Sequence, residues 1–483
     1  MDIPFSSVPP EEVIFISRQP QPGNGSKTYN VFSLRERDEV DGQKSQLLRA
    51  QTAEVPQPWL DEFLVEEVPE HLQSGPLRHV HVVVSTHSGT GLALDFYNSV
   101  LQPVLQSWGV SASEPATDLE ERSRTPTKPG TYNLVITRNA HSLRDFARDI
   151  HRADKDDSEA TAPQQTILLL SGDGGIIEIL NGKAATEGPA APPHLPLVAV
   201  LPLGTGNALF HSVHKFVRTT GPKPSGLVQG LRSLFTGKAA PLPSFIAEFS
   251  AGSRLVTYTS PDEQSSSPDA APEGRGDAVS SLRGVIVASY GFHSQLVWES
   301  DTPEYRKHGA KRFGMVAQQL LGESHAYEAV VELTGRDGAE TRTLGDGGGG
   351  GGDRHAYVLA AMVSNLEATF TISPASAPLD GKLRVVRFGA ADGAQIMEVM
   401  RRAYDGGAHV GMRWRAADGT ERRVAYDEAR ELRVTTRERD PRWRKVCVDG
   451  SIVELPPAGR MTVRTEDAAH LRVLVHRSVA VGG

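Results

Sequence analysis

A single cysteine, Cys447, stands in 483 residues. That excludes a disulfide framework and any zinc module built on thiolates, and it fits a reducing compartment. Long apolar runs are missing as well. No stretch reaches the length a membrane-spanning helix needs, so none is expected. The first residues, Met1–Val13, lack both a basic region and an apolar core, so no secretory signal is expected. Excess positive charge is also missing: the net charge of -8 argues against a general nucleic-acid binder and leaves membrane contact to local patches. What remains is an ordinary globular composition, 39% hydrophobic and 23% charged. A chain of this length suggests two or three domains and can bury a large core without staples.

Four short runs rich in Val, Leu and Ile come early: Val80–Val84, Leu134–Ile136, Ile167–Leu170 and Leu197–Leu201. They do not alternate, which is the pattern of strands covered on both faces in a parallel sheet. Helical stripes lie between them. Leu92, Phe96, Val100, Val104 and Trp108 recur every four residues, with Pro103 inside the stripe predicting a kink. Leu143, Phe146, Ala147 and Ile150 form a second stripe, a third helix is expected after Ser171–Gly175, and a fourth over Asn207–Phe216. Strand alternating with helix predicts an open α/β domain over residues 76–217.

From Ser244 the texture changes to short alternating runs such as SFIAEFS, GVIVASYG, YEAVVELTG, KVCVDGSIVEL, MTVRTE and LRVLVH. These predict a β-sandwich over residues 218–483, interrupted by helices at Glu304–Leu321 and Ala394–Tyr404. Ser260–Ser281, Ala184–Pro196 and the glycine run Gly347–Gly352 read as loops or disordered insertions. Residues 1–75 show one candidate strand, Val13–Ile16, in an extension read as a small appended subdomain.

Three glycine-bearing loops follow strands and precede helices. In Ser171-Gly172-Asp173-Gly174-Gly175 the glycines let backbone approach a phosphate chain. The helix start then offers free N–H groups to the anion. Asp173 would either hold Mg²⁺ beside the phosphates or take the proton of an attacking hydroxyl. The plainer reading is a tight turn with an Asp helix cap. Pro202-Leu203-Gly204-Thr205-Gly206-Asn207 repeats the device on the next strand, with Thr205 as a phosphate contact and Asn207 as a loop organiser. Ligands of open α/β sheets bind at these strand ends. His87-Ser88-Gly89-Thr90-Gly91 is the weakest of the three. None of them ends in the Lys-Ser/Thr of a P-loop or runs as the dinucleotide G-x-G-x-x-G, which disfavours both of those classes.

In order, S-G-D-G-G…E…N-G, P-L-G-T-G-N, the stretch 290–314 with G-F ahead of acidic residues and Y-R…G…R, P…D-G-K-L at 374–383, and V-D-G at 448–450 resemble the diacylglycerol kinase catalytic-domain superfamily, and its sphingosine kinase branch in particular. The resemblance spans residues 78–476. It implies an ATP-dependent lipid kinase that acts on a sphingoid long-chain base, with diacylglycerol or ceramide as the alternative acceptor. It also implies ATP and Mg²⁺ as the nucleotide and metal, and a cytoplasmic protein that docks peripherally on the membrane holding its substrate.

Carried over residue by residue, Asp173 would be the catalytic base or Mg²⁺ ligand. Ser171, Gly172, Gly174, Gly204 and Thr205 would line the phosphates, with Asn207 beside them. Glu178 and Thr137 would face the nucleotide. Arg306 and Arg312 would pair with phosphate, as planar guanidinium forks do, and Asp449 and Gly450 would fold back over the nucleotide. Four positions depart from the pattern: Ser85 and Thr86 replace Asn-Pro, Gly175 stands where Thr or Leu is usual, and Ser451 replaces Glu. The acid expected at a sphingosine head group falls within Gln295–Glu299, with Val297 in one alignment and Glu299 in another. A catalytically inactive lipid-binding relative, which Ser85, Thr86 and Ser451 favour, and an NAD kinase, which shares the G-D-G loop but not P-L-G-T-G-N, are the competing readings.

Overall fold

The computed structural model describes residues 1–19, 28–36, 45–86, 89, 91–113, 128–137, 142–156, 163–182, 194–215, 222–258, 276–309, 311–338, 340–345, 353–416 and 419–480. Most of the expected loop segments, 260–275, 184–193 and 347–352, lie outside the described residues. The chain forms an α/β architecture followed by antiparallel β structure, as the strand patterns predict. It divides into two compact units. One comprises Met1–Gly204, Val213–Leu242 and His470–Gly483; the other comprises Thr205–Ser212 and Pro243–Ala469.

The first unit holds two sheets. Strands β1 (Val13–Arg18), β2 (Tyr29–Glu36), β3 (Ser45–Thr52) and β4 (Leu64–Val65) make a four-stranded sheet in the order β3-β2-β1-β4. Sequence patterning showed only the first of these. Its anchor is aromatic: Phe15 stacks on Phe32 and packs 4.4 Å, ring to ring, from Phe235 of the helix Gly226–Thr236. Buried Arg232 of that helix donates to the Val13 and Pro10 carbonyls, each at 2.6 Å.

The larger sheet is built from β5 (Arg78–Val84), β6 (Ser111–Ala112), β7 (Thr131–Ile136), β8 (Gln164–Ser171), β9 (Leu197–Pro202) and β10 (Lys238–Leu242). A seventh strand, Leu471–Val475, inserts between β10 and β9. That run, LRVLVH, reads in sequence as another sandwich strand. In the structure it pairs parallel with β9, and every residue but Arg472 is buried. Strands β6, β7, β5, β8 and β9 are parallel, so their carboxyl ends share one edge. Residues of β8 are buried almost throughout, which explains the lack of alternation. The predicted Pro103 kink takes the form of a π-helical turn, Tyr97–Leu101, just before the proline, with short α-helical pieces on either side.

The second unit is a curled, fourteen-stranded antiparallel sheet around a core that includes Phe245, Tyr290, Val358, Leu432, Val434 and Val463. Its helices are Phe292–Ser300, Pro303–Arg306, Lys311–Glu323 and Gly393–Tyr404. The single helix expected over Glu304–Leu321 is thus two, broken at Gly309, whose φ of +56° suits a residue without a Cβ.

Candidate active site

Strand β8 ends at Ser171, and the helix Asp173–Leu180 begins two residues later. Gly172 is its N-cap, and with no side chain it cannot close the first-turn donors. Gly174 is exposed, and a Cβ built on it would meet nothing within 4 Å. Backbone at this point is open to an approaching ligand. Gly175 is different: a Cβ there would stand 2.7 Å from Ser171 Oγ and 3.0 Å from Leu169 Cδ2, so the glycine seats the helix against β8. Gly182 does the same at the other end, where a Cβ would fall 2.3 Å from the Ala147 Cβ. The motif glycines therefore divide into one that faces open space and two that permit packing. Asp173, the first residue of the helix, is half-buried.

The loops that follow β5, β7, β8 and β9 are stitched together at the carboxyl edge. Leu203 N–H donates to the Ser171 carbonyl at 3.3 Å, joining the second glycine loop to the first. Gly89, with φ of +57°, lies against that second loop. A Cβ on it would be 2.4 Å from the Leu203 carbonyl oxygen and 3.0 Å from the Gly204 Cα. The loop that looked weakest in sequence is thus part of the assembly. Ser85 N–H donates to Leu170 O at 3.0 Å, and Thr137 N–H donates to Val84 O at 3.0 Å. Thr86 donates its N–H to the Thr137 hydroxyl (3.1 Å) and its hydroxyl to the Thr137 carbonyl (2.7 Å). A proline at position 86 would have no N–H to give, so the departure from Asn-Pro carries its own local bonding. The sequence marked Thr86 only as a departure from Asn-Pro, not as a contact.

Glu178, one and a half turns into the helix, accepts a bidentate pair from Arg144 at 2.8 and 3.1 Å. Arg144 belongs to the helix Ser142–Asp156 and carries no motif signal in the sequence. It ties the two helices that flank the site.

In the second unit, Thr205 is exposed. Asn207 is buried with φ of +52°, a left-handed conformation that Asn tolerates, and its carbonyl accepts the His211 N–H of the helix Ala208–Val213. Arg306 and Arg312, six apart, meet at one carboxylate. Arg306 Nε donates to Asp301 at 3.0 Å, and Arg312 approaches the same group at 3.6 Å. Arg312 Nε is buried without a hydrogen-bond partner. Burial pushes this guanidinium below its ordinary value, and Arg306 adds to that, while Asp301 opposes it. Two guanidiniums on one carboxylate leave a surplus positive charge and an unused donor, which suits a phosphate oxygen.

Asp449 and Gly450 have φ of +48° and +89° and turn the hairpin between Lys445–Val448 and Ser451–Glu454. Both central residues in the left-handed region make this an Asp-Gly hairpin of the type that matches strand twist. The Asp449 carboxylate accepts the N–H groups of Val285 (2.6 Å), Ile286 (3.1 Å) and Val287 (2.5 Å). Glu299, the acid in one alignment of the head-group region, accepts from Gln295 at 2.7 Å and from Arg442 at 2.9 Å.

Among the described residues there is no cluster of three or more His, Cys, Asp or Glu able to hold a metal. Mg²⁺ does not require one, since it binds through one or two carboxylates together with substrate phosphates and water. Asp173 beside uncapped amides fits that donor set.

Residues 79–224 match the family model described as the diacylglycerol kinase catalytic domain. No curated protein matches the chain. Solved structures of diacylglycerol kinases from Bacillus anthracis str. Sterne resemble it: one, so named only provisionally, at 12% identity and a TM-score of 0.48, and another at 10% and 0.44. Each alignment covers 83% of this chain and 98% of the other.

Proposed function

From the match of residues 79–224 to the diacylglycerol kinase catalytic-domain model, we propose that the chain is a member of that superfamily and transfers the γ-phosphoryl group of ATP to the hydroxyl of a membrane lipid, a sphingoid long-chain base before others. The observation that carries this reading is the carboxyl edge of the larger sheet. There Asp173, the open Gly174 backbone and an uncapped helix start are fixed by bonds from the neighbouring loops.

In this reading the amides of the Gly172–Gly174 turn hold phosphate oxygens, and Asp173 orients the lipid hydroxyl and accepts its proton. Mg²⁺, when bound, neutralises charge on the phosphates, and Asp173 would be its protein ligand. Ser171, Gly204, Thr205 and Asn207 complete the phosphate loops. Glu178 acts on the nucleotide side by fixing Arg144, and Thr137 by fixing Thr86. Arg306 and Arg312 supply guanidinium charge, and Asp449 and Gly450 shape their hairpin for the nucleotide. Rate enhancement then comes from positioning and electrostatics. The acceptor lives in a bilayer, so the enzyme works at a membrane surface by peripheral docking on the cytoplasmic side. Among the described residues no helix is long and apolar enough to cross a membrane.

Support for a sphingoid base comes from the G-F…Y-R…G…R stretch and from Glu299 within it. A neutral acceptor, diacylglycerol or ceramide, is the second reading. It is favoured by the Glu299 carboxylate being already engaged by Arg442 and Gln295, which leaves it less to offer an ammonium group. Radiolabelled ATP with sphingosine, phytosphingosine, diacylglycerol and ceramide in mixed micelles decides between them. A labelled sphingoid phosphate supports the first reading, a labelled phosphatidate or ceramide phosphate the second, and no labelled lipid from any acceptor refutes the kinase assignment.

A further inference from the structure

We infer that the amino end of the larger sheet holds a second anion site, one that binds a phosphate group independently of the glycine loops. A cavity of about 450 Å³ opens there. Its walls come from the first residues of parallel strands β5, β8, β9 and Leu471–Val475, together with the start of β10 and the segment around Glu70. Strand β8 separates it from Ser171 by seven residue steps, roughly 23 Å of extended chain. It is therefore not an annex of the site above.

The charge lining this cavity is unbalanced. Arg78 and Arg472 face one carboxylate, Glu70. Glu70 pairs with Arg78 at 2.7 Å, and Gln164 Oε1 accepts from the same guanidinium at 2.7 Å. Arg472 is left with a single bond, from Nε to the Leu195 carbonyl at 3.3 Å. Its two terminal nitrogens have no hydrogen-bond partner among the described residues. Neither has the hydroxyl of Thr166, which lines the same cavity.

His71 adds no charge. It is buried, its Nε2 is 2.8 Å from the Leu234 carbonyl, and burial lowers its pKa below the ordinary value. Arg472 is held below its ordinary value by burial, and Arg78 pushes the same way. Two neighbouring guanidiniums beside one exposed carboxylate leave a surplus positive charge that an anion would balance. The planar fork of Arg472 and the Thr166 hydroxyl suit tetrahedral phosphate oxygens. The cavity also has room for what the phosphate is attached to. Free phosphate and the head group of a phosphorylated lipid share this chemistry.

The test uses the full chain, titrated calorimetrically with inorganic phosphate and, separately, floated with phosphatidylcholine vesicles with and without phosphatidic acid. Wild type and Arg472→Gln are compared. Thr166→Val, which keeps the β-branched shape and removes the hydroxyl on the same sheet face as Arg472, serves as the second variant. The expected result is binding in one of the two arms, weakened about tenfold or more by either substitution, as loss of a charge-assisted bond implies, with the KM for ATP unchanged. Heat from phosphate alone identifies the free ion; flotation only with phosphatidic acid identifies the lipid head group. Binding in neither arm, or equal binding by wild type and both variants, overturns the proposal.

Discussion

Two Asp-Gly pairs, one in each unit, look alike in sequence and are built for different work. Asp173-Gly174 opens a helix at the end of a parallel strand, half-buried, with a glycine that faces open space. Asp449-Gly450 turns an antiparallel hairpin, and its carboxylate is buried under three backbone N–H groups. A Cβ on Gly284 would stand 2.9 Å from Asp449 Oδ2, so even the neighbouring chain is shaped to admit that carboxylate. The first pair leaves its backbone available to a ligand. The second organises the fold, whatever it adds to nucleotide binding. Resemblance alone gave both a place at the nucleotide.

The largest effect should come from Asp173→Asn. Removing the carboxylate while keeping its shape is expected to cut phosphoryl transfer about a thousandfold and to leave thermal unfolding unchanged. Radiolabel transfer and calorimetry on one preparation read both quantities, and a rate within tenfold of wild type would erase the contrast between the pairs. Asp449→Ala should do the reverse. Stranding three buried donors is expected to cost about 3 kcal/mol of stability, seen in urea unfolding. A stable Asp449→Ala protein with a raised KM for ATP would make the second pair a ligand contact first.

Glycines of the first motif sharpen the comparison at smaller scale. Gly182→Ala drives a methyl into Ala147 and should destabilise by about 1–3 kcal/mol. Gly174→Ala meets no neighbour and should leave stability within about 1 kcal/mol, yet raise the KM for ATP. Acid probes buried histidines, which both units hold: burial pulls His293 and His409 of the second unit down to about 4 as well. His81, fully buried in the first unit and bonded to Gln165, has its pKa pulled down to about 4 by burial. The unfolded chain takes up a proton near pH 6.5 that the folded chain refuses. The stability this contributes is complete above that pH and is lost as pH falls from about 6.5 to 4, by about 1.4 kcal/mol per pH unit. His81→Gln should flatten that acid limb in urea titrations, and an unchanged limb would show that other groups set it.

Much of the first unit was legible because its strands are unbroken apolar runs and its loops carry glycine. Patterning located β5, β7, β8 and β9 and the helix after Gly175. It could not separate Gly174 from Gly175, since only packing shows which one is open. Strands β2 and β3 were missed because their apolar residues are interleaved with Arg35, Arg49 and Gln46. The helix Phe292–Ser300 was hidden by a short stretch that holds His293, Gln295 and Glu299 among its apolar residues. Arg144 had no signal at all and Thr86 showed only as a departure from Asn-Pro, because each acts through a partner distant in sequence.

Leu471–Val475 lies inside the first unit's sheet, yet the ribosome makes it after nearly all of the second unit. The nascent α/β sheet must therefore wait, with β9 and β10 unjoined, while more than two hundred intervening residues emerge (roughly ten to forty seconds at ordinary elongation rates). During that interval two unpaired strand edges are exposed to strangers. The first unit is thus the earlier to be translated and the later to be closed.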